Sequence, residues 1–276
     1  MQSSIEFAKN IRIKSLHMVH ATKASHIGSC LSMADMLAVL YTGVLRLWPN
    51  EPKCPERDRF ILSKGHATAI YYAALAEAGF IPSELLQTYC QNGSVLTGHV
   101  NHAGVAGVEV STGSLGHGLG LGCGTAIGLK ADKSDARVFV LMSDGECDEG
   151  SVWEAALFAP FHKLDNIVAM IDYNKIQSFG TVKEVLDLEP LADKWRAFGW
   201  EVVEVEGHDH AALHNVFLHL KKNGKPTLIL AHTIKGKGVS FMENTLAWHY
   251  KSPNDQELAQ AIAEVDASSS PPRAGI

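Results

Sequence analysis

The stretch Ser143–Ile176, which opens SDGECDEG at 143–150 and closes DYNKI at 172–176, decides the fold. Ahead of it Arg137–Met142 (RVFVLM) is a continuous apolar run, the pattern of a strand covered on both faces. Ser143-Asp144-Gly145-Glu146 breaks that run with a turn. The segment around Trp153–Phe161 has helical character, and Asn166–Ile171 (NIVAMI) returns as a second buried strand. In a parallel sheet both loops leave at the carboxyl edge. Asp144 and Asn174 are therefore expected side by side, where such sheets bind ligands.

Two oxygen side chains and a nearby backbone carbonyl suit a hard cation. Mg²⁺ takes few protein ligands and leaves the rest of its shell to phosphate and water, so the stretch predicts a Mg²⁺-bridged diphosphate. The competing reading is that DG and YN are ordinary turn residues, because Asp, Gly and Asn dominate turns on conformational grounds alone.

Outward from this stretch the chain alternates between helix and strand. Residues 4–24 form an amphipathic helix with Ile5, Ile13, Leu16 and Val19 among its apolar positions; Ser25–Ser29 is a polar turn, and Met33–Tyr41 a second helix. Arg59–Ser63 (RFILS) is a short buried strand that leads through Lys64-Gly65-His66 into a helix over Ala67–Ala78. Residues 113–118 (GSLGHG) open a helix that runs to about Lys130. A turn and helix over Glu184–Phe198, a strand over Glu201–Val205, a helix over His208–Lys222 and a strand over Thr227–Ala231 follow. The expectation is a three-layer α/β fold, a mostly parallel sheet with helices on both faces. Residues 1–266 make one domain, and 267–276 (ASSSPPRAGI) read as a disordered tail.

Length and composition agree. The 276 residues suffice for one large α/β domain, with 46% hydrophobic and 20% charged residues as in soluble globular proteins. A net charge of −6 gives no reason to expect nucleic acid or an anionic membrane surface. No apolar run reaches the length of a membrane span, and MQSSIEFAKNIRIK lacks the apolar core of a signal peptide. The cysteines, Cys30, Cys54, Cys90, Cys123 and Cys147, are scattered without CxxC spacing, which argues against a disulfide framework or zinc and for a reducing cytoplasm.

Taken singly, the polar candidates have ordinary explanations. His26 suits a turn or helix cap. His66 stands at a strand-to-helix junction, where free amides and the helix dipole favour an anion, or it bonds within its loop. His99 and His102 are three apart, with no acid or Cys placed to complete a metal site. His208, His210, His214 and His219 read as surface residues. For Glu149 and Glu154, beside a helix start, the helix dipole is explanation enough. The loop His232–Gly238 (HTIKGKG) ends a strand and can cradle phosphate, without the Walker spacing. Glycines at 116, 120, 124 and 128 give one helix a face without side chains, open to close approach, at a cost of up to about 1 kcal/mol each relative to Ala.

The spacing of the central stretch resembles the thiamine-diphosphate signature: GDG, a spacer of some two dozen residues, then NN. Here Cys147–Asp172 is a 26-residue spacer, with Ser143 in place of the first Gly and Tyr173 in place of the first Asn. Within that superfamily the chain resembles transketolases from about Ser25 to Trp248. The resemblance implies thiamine diphosphate held through Mg²⁺, with Ca²⁺ or Mn²⁺ as substitutes. Asp144, Asn174 and the Ile176 carbonyl would be metal ligands, and Gly145 and Glu146 would lie at the cofactor. Ser25–Ser29 matches SGHPG with Ile27 for Pro, making His26 a ketose contact. SKGH places His66 beside the diphosphate, and Gly98-His99 turns His99 to the substrate. Gly113, Ser114 and Leu115 match a segment lying against the cofactor rings, and Lys235 matches a T.KG.G loop that approaches the cofactor. Trp248-His249-Tyr250 resembles WHG, with Tyr250 for Gly, so His249 would reach both diphosphate and substrate. Glu149 and Glu154 match acids at the contact between two like subunits.

The activity so implied is transfer of a two-carbon ketol unit from a ketose phosphate to an aldose phosphate, in pentose phosphate metabolism. The resembled enzymes are about twice this length, and a carboxylate in their second domain activates the cofactor. No stretch here resembles that domain. The chain is therefore expected to be the N-terminal subunit of a split transketolase, paired with a separate C-terminal subunit in an α₂β₂ heterotetramer. Three alternatives stand beside this: another thiamine-dependent reaction (a deoxyxylulose-phosphate synthase-like condensation or a 2-oxo-acid decarboxylase component), a non-catalytic regulatory chain that binds the cofactor, and a Mg²⁺-dependent phosphohydrolase.

Overall fold

A computed structural model describes residues 3–268, and in it five strands join in one parallel sheet of order β1-β2-β3-β5-β4. In chain order come α1 (Ser4–Thr22), α2 (Ile27–Ser32), α3 (Ala34–Val39), β1 (Arg59–Leu62), α4 (Thr68–Glu77), α5 (Gly118–Ala131) and β2 (Val138–Ser143). They are followed by α6 (Gly150–Phe161), β3 (Ile167–Tyr173), α7 (Val182–Val185), α8 (Leu191–Ala197), β4 (Glu201–Glu206), α9 (His210–Leu218), β5 (Thr227–His232) and α10 (Asp255–Ser268).

Strand periodicity divides the core in two. Phe60, Leu62, Phe139, Leu141, Val168, Met170 and Ile229 face α1–α4 and α9, whereas Ile61, Val138, Val140, Ile167, Ala169 and Leu228 face α5, α6 and α8. β2 and β3 are buried along their whole length, which is why they read as unbroken apolar runs. Each fully buried aliphatic side chain adds about 1.5–3 kcal/mol to folding. The expected three-layer architecture is thus the observed one.

Several extents differ from those the sequence predicts. The helix expected over 33–41 is α3 followed by a π-turn at Leu40–Val44, and part of the polar turn expected over 25–29 is buried helix α2, which meets α3 at Met33. α5 begins at Gly118 rather than 113, and 184–198 resolves into α7 and α8 around Pro190. α9 is shorter than 208–222 at both ends. α10 has no counterpart among the predicted elements; Asn254 and Glu257 cap it reciprocally, each side chain accepting from the other's amide at 2.9 Å. It ends at Ser268, and the rest of the expected tail, 269–276, lies outside the described residues. No described helix is long and apolar enough to cross a membrane.

The glycine face of α5 packs differently from expectation. Gly122 lies against the sheet, where a Cβ would stand 2.5 Å from Val140 Cγ2. Gly120, Gly124 and Gly128 meet nothing within 4 Å. Their smooth face is turned outward, next to exposed Leu121 and Phe158.

Candidate active site

Because all five strands are parallel, the segments that follow them emerge at one edge. β1 delivers Lys64 and His66, β2 delivers Asp144, β3 delivers Asn174 and Ile176, and β5 delivers Lys235. Pairing of Ser143 with Asp172 sets the DGE and YN loops side by side, and the Lys175 amide donates to Asp144 Oδ2 at 2.6 Å. Thr112 fixes the 113–115 segment against this edge by donating to the Leu62 carbonyl at 2.6 Å. Gly65 permits that approach, since a Cβ there would sit 2.6 Å from Thr112 backbone. The turn before α2 and the 3₁₀ turn Leu246–His249 cover the edge, joined by the His26 amide donating to the His249 carbonyl at 2.8 Å.

These segments enclose a cleft of about 400 Å³ lined by His26, His66, His99, Asp144, Asn174 and Lys235, among others. Four imidazoles crowd one wall. The His26 ring centroid is 5.0 Å from that of His249, 5.1 Å from His66 and 6.2 Å from His99. His26 holds left-handed backbone at φ 72°, a conformation that ordinary residues adopt at a cost. Burial, then the charges of His99, Lys235 and Lys64, lowers its pKa to about 4. Burial followed by Lys235 lowers His249 to about 3, and burial with Lys64 holds His66 well below the usual imidazole range. An ammonium can only donate, so the 3.0 Å bond from Lys235 Nζ makes His249 Nδ1 the acceptor and leaves the ring hydrogen on Nε2.

Two lysines are buried at this edge, Lys64 at 0% and Lys235 at 1% exposure. Lys64 pairs with Asp172, which also accepts from Ser32, Thr233 and the Asn174 amide. Burial would raise the Asp172 carboxyl, but Lys64 and these hydrogen bonds overcome it and keep it low. Lys235 has no carboxylate partner among the described residues; its ammonium bonds the Ile176 carbonyl at 2.8 Å and His249. Burial, then Lys64, lowers its pKa to about 8. A buried cation among neutral imidazoles is a site for an anion.

The donors for a cation are equally distinct. Asp144 is buried, accepts only from the Gly145 and Lys175 amides, and is pushed up to about 6 by burial and then by Asp172. Asn174 gives its Nδ2 to Asp172, leaving Oδ1 to accept from the Ile176 amide and to face the loop. A carboxylate without an ion-pair partner among the described residues, an amide oxygen and a carbonyl form a hard oxygen set that fits Mg²⁺. No group of three or more His, Cys, Asp or Glu that could hold a metal occurs among the described residues, and this set contains only one such side chain.

Gly113, Leu115, Gly145, Ile176 and Glu149 also line the cleft, the last beside its rim. Ser114, Glu146 and Glu154 do not. Glu146 is fully buried and committed to the chain itself, accepting from Ser63 and from the Gly116 and Ser143 amides. Its place is that of a brace between β1, β2 and α5 rather than of a ligand contact. Ser114 is exposed, and Glu154 faces the outer surface near Gly120 and Phe158. His102 is exposed and bonds Ser111. His208 and His210, expected at the surface, are instead tied to buried Asp35. The Lys64–Asp172 pair, buried beneath this edge and absent from the cleft lining, is missed by sequence reasoning; the one signal for Lys64 is a charge set between a buried strand and an Ala-rich apolar helix.

Residues 3–268 match the family model described as transketolase, thiamine diphosphate binding domain. The chain is 44% identical to one subunit of the apulose-4-phosphate transketolase of Phocaeicola vulgatus, over 92% of this chain and 90% of that protein. It is 41% identical to 6-deoxy-6-sulfo-D-fructose transketolase subunit SqwG of a Clostridium species, over 94% of each. Among solved structures, transketolase from Leishmania mexicana superposes with a TM-score of 0.90 at 31% identity. That match covers 96% of this chain and 42% of the Leishmania chain.

Proposed function

The chain belongs to the transketolase family as a thiamine diphosphate binding domain, and from that premise we propose that it is the diphosphate- and metal-holding subunit of a two-subunit transketolase. The observation that carries this reading is Lys235, a buried ammonium hydrogen-bonded to neutral groups, which lines one cleft with Asp144, and neither has an ion-pair partner among the described residues. One demands an anion and the other a cation. A Mg²⁺-diphosphate satisfies both.

In this reading Asp144, Asn174 and the Ile176 carbonyl hold Mg²⁺. Lys235 and His66 receive the diphosphate, and the 113–115 backbone lies along the rest of the cofactor. When bound, thiamine diphosphate supplies the carbon nucleophile that adds to a ketone and accepts the resulting electron pair. His26, His99 and His249 serve the sugar oxygens. His249 presents an N–H at Nε2 because Lys235 occupies its other nitrogen. His26, kept neutral by burial and nearby cations, is available to accept a proton. Four imidazoles around one cleft favour proton transfer over a purely regulatory cofactor-binding role.

One support favours a partner: three relatives that match over nearly their whole length are named as transketolase subunits. Each site would then be completed by a C-terminal subunit. The outward glycine face of α5, with Leu121 and Phe158, suits contact with a second copy of this chain, giving α₂β₂. The substrates would be a ketose phosphate donor and an aldose phosphate acceptor.

Calorimetric titration tests the metal and diphosphate assignments. Asp144→Ala and Asn174→Ala are expected to abolish Mg²⁺-dependent binding of thiamine diphosphate while leaving the circular dichroism spectrum unchanged. Binding equal to wild type in either variant would overturn the assignment.

A further inference from the structure

Away from the cleft lining, three side chains converge on Asp35 of α3. Arg12 of α1 grips its carboxylate with both terminal nitrogens, at 2.8 and 2.7 Å. His208 Nδ1 lies 2.7 Å from Oδ2, and His210 Nε2 lies 3.0 Å from Oδ1. Asp35, His208 and His210 have side chains only 7%, 11% and 17% exposed. Burial alone would raise the Asp35 carboxyl; the Arg12 charge and the histidine hydrogen bonds overcome it and hold it well below the usual carboxylate range.

His208 differs from His210 in where its second nitrogen leads. His210 Nδ1 meets Ser4 Oγ at 2.8 Å, near the chain's start. His208 Nε2 accepts from the Ile234 amide at 2.8 Å. A backbone amide can only donate, so Nε2 is bare and the ring hydrogen sits on Nδ1, donated to Asp35. Ile234 is the residue before Lys235, whose ammonium reaches into the cleft and bonds Ile176 and His249.

We propose that His208 is a positioning residue of the cofactor site: oriented by Asp35, it anchors the Ile234 amide and thereby holds Lys235 in place for the diphosphate. This rests on the cofactor reading above. On its other side Lys235 is tied through the Gly236 amide to the Gly28 carbonyl at 3.0 Å and through its own carbonyl to the Asn244 amide at 2.9 Å, while ahead of it the Thr233 amide donates to the Tyr173 carbonyl; His208 holds the residue between these ties. Without His208 the Ile234 amide loses its acceptor, and the ammonium loses the fixed backbone from which it is aimed.

The test combines binding and ring-nitrogen spectroscopy on the full chain. In ¹⁵N-histidine spectra at neutral pH, His208 should show a bare Nε2 and a protonated Nδ1; a hydrogen on Nε2 would overturn the inference even if an alanine variant failed to fold. His208→Ala should weaken Mg²⁺-thiamine diphosphate binding by about three- to tenfold, the worth of one hydrogen bond. His208→Gln, which can again accept from Ile234, should restore most of it, and His210→Gln should stay within about twofold of wild type. In a Lys235→Met background His208→Ala should add nothing. Equal losses in His208→Ala and His210→Gln, or additive losses with Lys235→Met, would reduce His208 to a structural brace and overturn the inference. A wild-type chain that binds no cofactor would instead remove the reading on which the inference rests.

Discussion

At the residue scale the site joins a buried ion pair, Lys64 with Asp172, to two buried charges, Asp144 and Lys235, that have no ion-pair partner among the described residues. Asp144 is held near pKa 6 by burial and by Asp172. Only its deprotonated form binds a cation, so protons compete with Mg²⁺ below that point. Affinity for Mg²⁺ with thiamine diphosphate should therefore rise about tenfold per pH unit up to about pH 6 and level off above it. For stability without Mg²⁺ the sign is that of a raised carboxyl: the Asp144 contribution favours folding below about pH 3.9 and is lost as pH rises through 6. Titrations between about pH 5 and pH 8 would check the first of these, and a flat profile would contradict it. His26 belongs to turnover more than to affinity; His26→Ala should lower kcat by about 10²- to 10⁴-fold in the assembled enzyme while cofactor affinity changes little. The reverse pattern would make it a diphosphate ligand. These residues are legible in the sequence to different degrees. Asp144 and Asn174 stand out because their spacing is short-range information. Lys64, Asp172 and the Asp35 cluster do not, because their partners are distant in the chain: Asp35 and His208 are separated by 173 residues. A histidine read without its acid looks like a surface residue.

At the element scale, strands are easier to read than helices. β2, β3 and β5 are enclosed on both faces, so their apolar runs mark them within a residue or two. Helix limits depend on local turns that hydrophobicity does not record, as where Met33 separates α2 from α3. The departures from the family signature are absorbed locally. Ser143 extends β2 and its hydroxyl accepts from the Glu146 amide at 3.2 Å, while the Tyr250 hydroxyl donates to the Ser178 carbonyl at 3.0 Å and ties the 3₁₀ turn to the loop after Ile176. α5 shows how one helix carries two glycine surfaces. Gly122→Ala would press a methyl against Val140 and should destabilise the fold by about 1–3 kcal/mol in thermal denaturation. Gly124→Leu projects into open space and should leave the fold intact while shifting sedimentation toward monomer. Equal thermal stability of Gly122→Ala and wild type would refute the packing account, and unchanged association of Gly124→Leu would remove this face from the proposed dimer.

At the scale of the whole molecule, a single parallel sheet explains why groups from residues 26 to 249 meet in one cleft: every strand ends on the same side. On the proposed reading the cleft would supply the charged anchors for a Mg²⁺-diphosphate, and the proposed C-terminal subunit would supply what activates the cofactor and grips the sugar. The most direct measurement is ketol transfer, assayed with this chain alone and with the product of a neighbouring gene, in the presence of thiamine diphosphate, Mg²⁺, a ketose phosphate donor and an aldose phosphate acceptor. The account predicts transfer only in the mixture, lost again when Asp144 is replaced by Ala. Full transfer by this chain alone would contradict the two-subunit reading. Cofactor-dependent consumption of pyruvate, in place of ketol transfer, would contradict the reaction.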